Sequence, residues 1–169
     1  MGYSSCAVLI KRTVAIPAIL AVLLSGFANA EAPWEAILSE NIGYGGNSTG
    51  GAGGQLITVT NLNDSGTGSL RAALTVAGKK WIRFSPGLKG TIELSKRLDI
   101  PSNTTIDGRG ADITLDWGGV GSGTYLGNIS NIVLMYLKLQ NGQHDLVHLR
   151  NGFSDAWIHH VTFGLTSDE

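Results

Sequence analysis

Residues 130–134 read Ser-Asn-Ile-Val-Leu, and residues 154–158 read Ser-Asp-Ala-Trp-Ile. An earlier echo, Ser-Asn-Thr-Thr-Ile, occupies residues 102–106. The three copies begin 28 and then 24 residues apart, a spacing typical of stacked supersecondary units rather than of one closed core. We therefore interpret each copy as part of one turn of a coil.

The last two copies share a change of phase in their apolar residues. In the copy that begins at Ser130, apolar residues recur at every second position up to Leu134, and the alternation resumes with the opposite parity at Leu137. The copy that begins at Ser154 shows the same change 24 residues later. Because successive side chains of a strand point to opposite faces, the change indicates a bend between two strands. The bend falls at Met135-Tyr136 and at His159-His160.

Coils that pair strand on strand in parallel bury their apolar faces on one another, which predicts an all-β fold, a right-handed parallel β-helix. The alternative is a β-sandwich with hairpins, and the Asn-Gly pairs at 141–142 and 151–152 would favour it. Many short strands without crossover helices exclude the doubly wound folds. Further strands are predicted at residues 55–60, 81–84, 91–94, 98–100, 104–107 and 113–115.

One short helix is predicted ahead of the main run of strands. Residues 70–74 have helical apolar spacing, with Ser69 or Thr67 as the N-cap and Gly78 as the stop. Such a helix would cover the open end of a coil, whose unpaired strand edge would otherwise promote aggregation. The glycine-rich residues 43–54 contain no complete phosphate-loop motif and are interpreted as a loop.

The first 30 residues are typical of an export signal. Lys11 and Arg12 precede an apolar run, and Ala28-Asn29-Ala30 supplies a small-x-small cleavage pattern, so we expect a secreted protein with no membrane segment after cleavage. Residues 31–169 would then form the N-terminal part of a β-helix domain that is truncated at its C-terminal end. Once Lys11 and Arg12 are removed, 10 scattered basic residues remain against 13 acidic ones, which gives no support to nucleic-acid binding. We expect a monomer.

Four stretches carry a family resemblance: residues 59–74 (VTNLNDSGTGSLRAAL), 90–94 (GTIEL), 103–110 (NTTIDGRG) and 156–160 (AWIHH). In this order they resemble the N-terminal portion of the secreted pectate lyases of polysaccharide lyase family 1. The resemblance implies a right-handed parallel β-helix, calcium-dependent cleavage of polygalacturonate, and a long open groove for the polymer.

The resemblance also implies part of a calcium site. The family has an Asp-x-Asp at the positions that here read Gln143-His144-Asp145, so Asp145 matches the second aspartate and Gln143 replaces the first. Asp168 matches the first member of a second acidic pair, with Glu169 as a weaker candidate for the pair. No catalytic residue is expected within this chain, because the arginine that acts as the base would lie beyond Glu169.

The chemistry implied is β-elimination at a uronate. A Ca²⁺ ion bound by carboxylates of the enzyme and of the substrate makes the neighbouring ring proton removable, and the arginine removes it. We expect the fragment alone to be inactive.

The sequence leaves two other functions open. Gln143 in place of an aspartate is compatible with a pectin lyase, which acts without calcium. His159 stands where the family has aspartate, whereas His160 matches the family's histidine. This departure is compatible with a non-catalytic β-helix that binds polysaccharide.

Overall fold

The computed structural model describes residues 34–118, 124–126, 129–149 and 152–166. The predicted signal peptide, residues 1–30, and Asp168 lie outside the described residues. The described residues form one compact unit. Within the described ranges, no helix is long and apolar enough to cross a membrane.

Short strands dominate the described residues, as the sequence predicted. The two helices are α1 (Glu35–Leu38) and α2 (Leu70–Thr75). The strands are β1 (Gln55–Val59), β2 (Lys80–Phe84), β3 (Lys89–Glu93), β4 (Leu98–Asp99), β5 (Thr104–Asp107), β6 (Asp112–Asp116), β7 (Thr124–Leu126), β8 (Ser130–Gln140), β9 (Val147–Leu149) and β10 (Ser154–Phe163).

The strands stack into three parallel sheets. The first sheet contains β1, β2, β5 and the first halves of β8 and β10. The second sheet contains β3, β6 and the second halves of β8 and β10, and the third contains β4, β7 and β9. Ile132 pairs with Ala156 in parallel register, so the predicted parallel β-helix is confirmed and the sandwich alternative is wrong.

A sharp corner separates the first sheet from the second, where the parity change predicted it. Tyr136 and His160 have backbone φ angles of 55° and 50°, in the left-handed region that residues other than glycine rarely adopt. One left-handed residue turns the chain, so the residues on either side change faces. Met135 pairs with His159 before the corner, and Leu137 pairs with Val161 after it.

The repeated Ser-Asn and Ser-Asp pairs lie where the chain enters the first sheet. Asn103, Asn131 and Asp155 have φ angles of 57°, 63° and 53°. The side-chain Nδ2 of Asn131 donates to Oδ1 of Asn103 at 2.8 Å, which links two coils. The repeat in the sequence is therefore a repeat of one turn conformation.

The interior of the coil is apolar and α2 closes it. Leu70, Ala73 and Leu74 of α2 are buried and join the interior cluster, which confirms the capping helix. Ser69 is the N-cap, because its hydroxyl accepts a hydrogen bond from the backbone N–H of Ala72 at 3.2 Å. The helix ends at Thr75 with an extended C-cap, Val76, so Gly78 is not the residue that ends it.

A second apolar layer covers the outer face of the first sheet. Ile37 of α1 packs with Trp81, Val133 and Met135, all of which are buried. The rings of Trp34 and Trp81 lie 5.8 Å apart between centroids. The middle of the first sheet, β5 and the first half of β8, is therefore buried on both faces, whereas the second sheet is covered only from inside.

Candidate functional site

Gln143 and Asp145 lie in the connection between β8 and β9, and both side chains are exposed. This connection follows the second sheet directly, so both residues lie at the edge where the strands of that sheet end. The third predicted ligand, Asp168, lies outside the described residues.

Asp145 makes one close contact that the sequence did not indicate. Oδ2 of Asp145 lies 2.5 Å from Nδ1 of His148, with the carboxylate half exposed. Because a carboxylate can only accept, the imidazole donates the hydrogen bond. A cation bound at Asp145 would compete with that imidazole N–H for the carboxylate oxygen.

Asp116, at the end of β6, fixes the start of the same connection. Its carboxylate accepts hydrogen bonds from Nε2 of Gln140 at 2.6 Å, from Nδ2 of Asn141 at 2.9 Å and from the backbone N–H of Gly118 at 2.7 Å. Burial alone would raise the pKa of Asp116, but these hydrogen bonds outweigh it and lower the pKa. Asp116 therefore positions the chain that leads to Gln143 and Asp145.

Sequence reasoning missed Asp116, although a signal for it existed. Asp116 pairs with Gln140 in the parallel register of β6 and β8. Asp116 and Gln140 each follow a stretch in which apolar residues alternate with others. Polar residues at the same position of neighbouring coils indicate side-chain hydrogen bonds between the coils at the end of the sheet.

A shallow groove runs beside Asp145. Its walls include Leu149 and Phe163, each 54% exposed, and it is open to solvent. The groove is lined by His144, Asp145, Leu146, Val147, Leu149, Ile158, Phe163, Gly164 and Thr166. An elongated ligand could therefore lie against apolar side chains with one end at the Asp145 carboxylate.

The side chains in the β8–β9 connection offer the type of donor atom that calcium binds. Ca²⁺ prefers oxygen ligands, which the Gln143 amide and the Asp145 carboxylate provide in an exposed position. Within the described ranges, no three His, Cys, Asp or Glu side chains lie close enough together to hold a metal ion. Gln143 and Asp145 would thus hold an ion only with further donors, such as the carboxylates of an acidic ligand.

The corner between the first and second sheets carries a cluster of rings. The rings of Trp157 and His159 stack at 3.8 Å, and those of Tyr136 and His160 stack at 4.5 Å. Nδ1 of His159 lies 2.9 Å from Nδ1 of His160. Burial, and then the charge of His160, lower the pKa of His159. His159 is therefore neutral at pH 7 and packs as an aromatic ring.

Comparison with known proteins relates this chain to one group of enzymes. No protein-family model matches the chain. A probable pectate lyase C from Aspergillus fumigatus is 38% identical over 104 residues, which cover 60% of this chain and 23% of the relative. A pectate lyase from Nicotiana tabacum is 30% identical over 152 residues, which cover 75% of this chain and 37% of the relative.

The fold comparison agrees with the sequence comparison. The crystal structure of jun a 1, the major allergen from cedar pollen, matches with a TM-score of 0.59 at 26% sequence identity. The match covers 76% of this chain and 44% of that one. The chain therefore spans less than half the length of each of these relatives.

Proposed function

This chain is related to the pectate lyases in sequence and in fold, and from that premise we propose that it is part of a secreted enzyme that cleaves pectate. The observation that carries the proposal is the stack of parallel coils in which the repeats at 130–140 and 154–163 lie in register. Export would use residues 1–30, with cleavage after Ala30.

We propose calcium-assisted β-elimination as the reaction. Gln143 and Asp145 would hold the ion, and bound calcium would supply neutralising charge to the carboxylate of the substrate. Asp116 would keep the β8–β9 connection in place through Gln140 and Asn141. An arginine downstream of Glu169, where the family resemblance places it, would remove the ring proton.

The test uses the complete protein that contains this chain, with polygalacturonate as the substrate. Elimination creates an unsaturated product that absorbs in the ultraviolet, so the initial rate is followed with calcium and with a chelator. We expect a rate only with calcium, and a loss of at least tenfold for Asp145→Asn. Asp155→Asn is the matched control, because Asp155 is an exposed aspartate at the start of β10. An equal rate in chelator, or full activity of Asp145→Asn, would contradict calcium ligation at Asp145.

Gln143 favours a second candidate, a pectin lyase that acts on methylated polymer without calcium. An amide keeps the oxygen donor of an aspartate but not its charge, which weakens the attraction for Ca²⁺. Methylated pectin in chelator is the discriminating substrate. Product from pectin but not from polygalacturonate would support the second candidate, and Gln143→Asp would then not increase the rate.

His159 favours a third candidate, a non-catalytic β-helix that binds polysaccharide. A neutral ring that stacks on Trp157 replaces the acid expected at this position. Retention on immobilised polygalacturonate, with no ultraviolet-absorbing product from either polymer, would support this candidate over both lyases.

A further inference from the structure

A groove at the corner between the first and second sheets lies apart from the predicted calcium residues. Asp107 pairs with Met135, and Met135 pairs with His159, so Gly108, Tyr136 and His160 each follow a residue of the same column at the end of the first sheet. The calcium residues follow the other end of the second sheet, after Gln140. The groove is lined by residues 108–113 and 136–138 together with His160 and Thr162.

Two of these three positions carry rings, whereas at the third, Gly108, an added Cβ would collide with the backbone carbonyl of Tyr136. The rings of Tyr136 and His160 are nearly parallel, at an interplanar angle of 4° and a centroid separation of 4.5 Å. One coil earlier, Gly108 adds no side chain to the column. The stack therefore stops at Tyr136, and the groove lies between this stack and the turn at residues 108–111.

Both aromatic corner residues hold a costly backbone conformation. Tyr136 and His160 have positive φ angles, for which glycine or asparagine would be the unstrained choices. Backbone strain of this kind clusters at active sites and ligand sites. Tyr136 is 36% exposed and His160 is also exposed, so burial of the rings does not compensate for the strain in full.

Two cations stand at the rim of the groove. Arg109 is held by the carboxylate of Asp107, with an Nη2–Oδ2 distance of 2.7 Å. Lys138 contacts Asp112 at 2.8 Å, and about half of each of these two side chains is exposed. An exposed ion pair is weak, so Lys138 can turn to a competing carboxylate at little cost.

We propose that this groove is a subsite for one pyranose ring of an acidic polysaccharide. The apolar face of the sugar would contact the Tyr136–His160 pair from the groove between these rings and the turn at residues 108–111, and its carboxylate would face Lys138. The inference rests on the proposed function for the identity of the polymer. The groove adds a contact remote from Gln143 and Asp145, so it contributes to binding and not to proton removal.

The test is an NMR titration of the ¹⁵N-labelled chain with tetragalacturonate in the presence of a chelator, which removes any calcium-dependent binding. We expect shifts in the amides of residues 108–111. Tyr136→Asn should raise Kd at least tenfold, because asparagine tolerates the positive φ but has no ring. Tyr136→Phe keeps the ring, and Tyr44→Asn removes an exposed tyrosine outside the groove, so both should bind within twofold of the unchanged chain.

Binding by Tyr136→Asn within twofold of the unchanged chain, or shifts confined to residues 143–145, would overturn the proposal. Equal affinity for neutral galactotetraose would show that the groove does not recognise the carboxylate of the sugar, which would contradict an acidic ligand. If Tyr136→Asn fails to fold, His160→Asn gives the same readout from the other ring of the stack, with an expected rise in Kd of at least threefold. If the chain binds tetragalacturonate as expected but the complete protein does not cleave pectate, the subsite is supported and the proposed lyase activity is contradicted.

Discussion

The two halves of β8 lie in different surroundings, although the chain runs from one into the other with a single corner between them. In the first half, Ile132, Val133, Leu134 and Met135 are all buried. In the second half, Leu137 and Leu139 are buried, whereas Lys138 between them is exposed. The difference arises outside β8, because α1 and the following loop cover the first half only.

The comparison shows which surfaces remain available to a ligand. The outer face of the first sheet is occupied by Ile37, Trp34 and the ring of Trp157. The outer face of the second sheet presents Thr114, Lys138 and Thr162, all of which retain exposure. The two grooves border the second sheet, and the N-terminal cover leaves both of them open to solvent.

The largest expected effect comes from breaking the covered face. Trp81 is fully buried and donates from Nε1 to Oδ2 of Asp107 at 3.0 Å. Trp81→Ala should lower the free energy of unfolding by about 3–5 kcal/mol, since a large ring is removed from a packed layer. Thr162→Ala, on the open face, is the control and should change it by less than about 0.5 kcal/mol. Urea denaturation measures both, and equal effects would show that the two faces do not differ.

A smaller effect is expected where the cover is attached to the coils. Oδ1 of Asn131 accepts hydrogen bonds from the backbone N–H groups of Thr49 and Gly50, both at 2.7 Å. Asn131→Gly keeps the positive φ accessible but removes these bonds, and should cost about 1–3 kcal/mol.

Limited proteolysis should then cut the Asn131→Gly variant within residues 34–52 faster than the unchanged chain. Asp155→Gly, at the equivalent exposed turn of the next coil, is the matched control and should protect these residues as well as the unchanged chain does. Cleavage at the same rate in all three proteins would mean that Asn131 does not hold the cover.

The smallest expected effect is a dependence on pH that is confined to the covered side. Burial and the neighbouring His160 lower the pKa of His159, with Arg109 adding to the decrease and Glu40 and Asp107 opposing it. In the unfolded chain His159 takes up a proton near pH 6.5, whereas in the folded chain it does so only at a lower pH. The free energy of unfolding therefore decreases as the pH drops below about 6.5. It stops decreasing once the pH is below the lowered pKa of the folded chain.

Hydrogen exchange at pH 7 and pH 5.5 checks this direction. Amides of the first sheet should exchange relatively faster at pH 5.5, after correction for intrinsic rates, and those of the second sheet should not. His159→Asn should remove the difference. A second sheet that loosens equally would show that the effect does not come from His159.

Much of the fold could be predicted because each coil repeats one conformation. The left-handed positions in the coils are visible in the sequence. The turn shows as the repeated Asn or Asp at Asn103, Asn131 and Asp155. The corner shows as the change of parity in the apolar residues at Tyr136 and His160. In the third sheet only β4 was predicted, as part of residues 98–100, since β7 and β9 contain three residues each, which is too few to show a period.

The N-terminal cover was not predictable from local pattern. The glycine run at 43–54 was interpreted only as a loop, whereas the structure gives part of it a packing reason. A Cβ on Gly51 would lie 1.8 Å from the carbonyl oxygen of Lys80. That contact joins residues far apart in sequence, so only the tertiary structure shows why glycine is required there.

The candidate site was predictable only in part for the same reason. Family resemblance pointed to Asp145 and Gln143, and the structure places both on one exposed connection. The contact of Asp145 with His148 and the hold of Asp116 on Asn141 depend on how the coil closes. The predicted metal ligation itself stays a prediction, with Asp168 outside the described residues.

The parallel register of β8 and β10 is the claim on which the grooves and the cover both depend. Two double-cysteine variants, Ser130/Ser154 and Lys138/Thr162, with Cys6 replaced by serine, test it with a short bifunctional thiol reagent. Each pair is in direct register, so both variants should cross-link within the monomer. An antiparallel pairing can bring one of these pairs together but not both, so cross-linking of one variant alone would contradict the stacked coils.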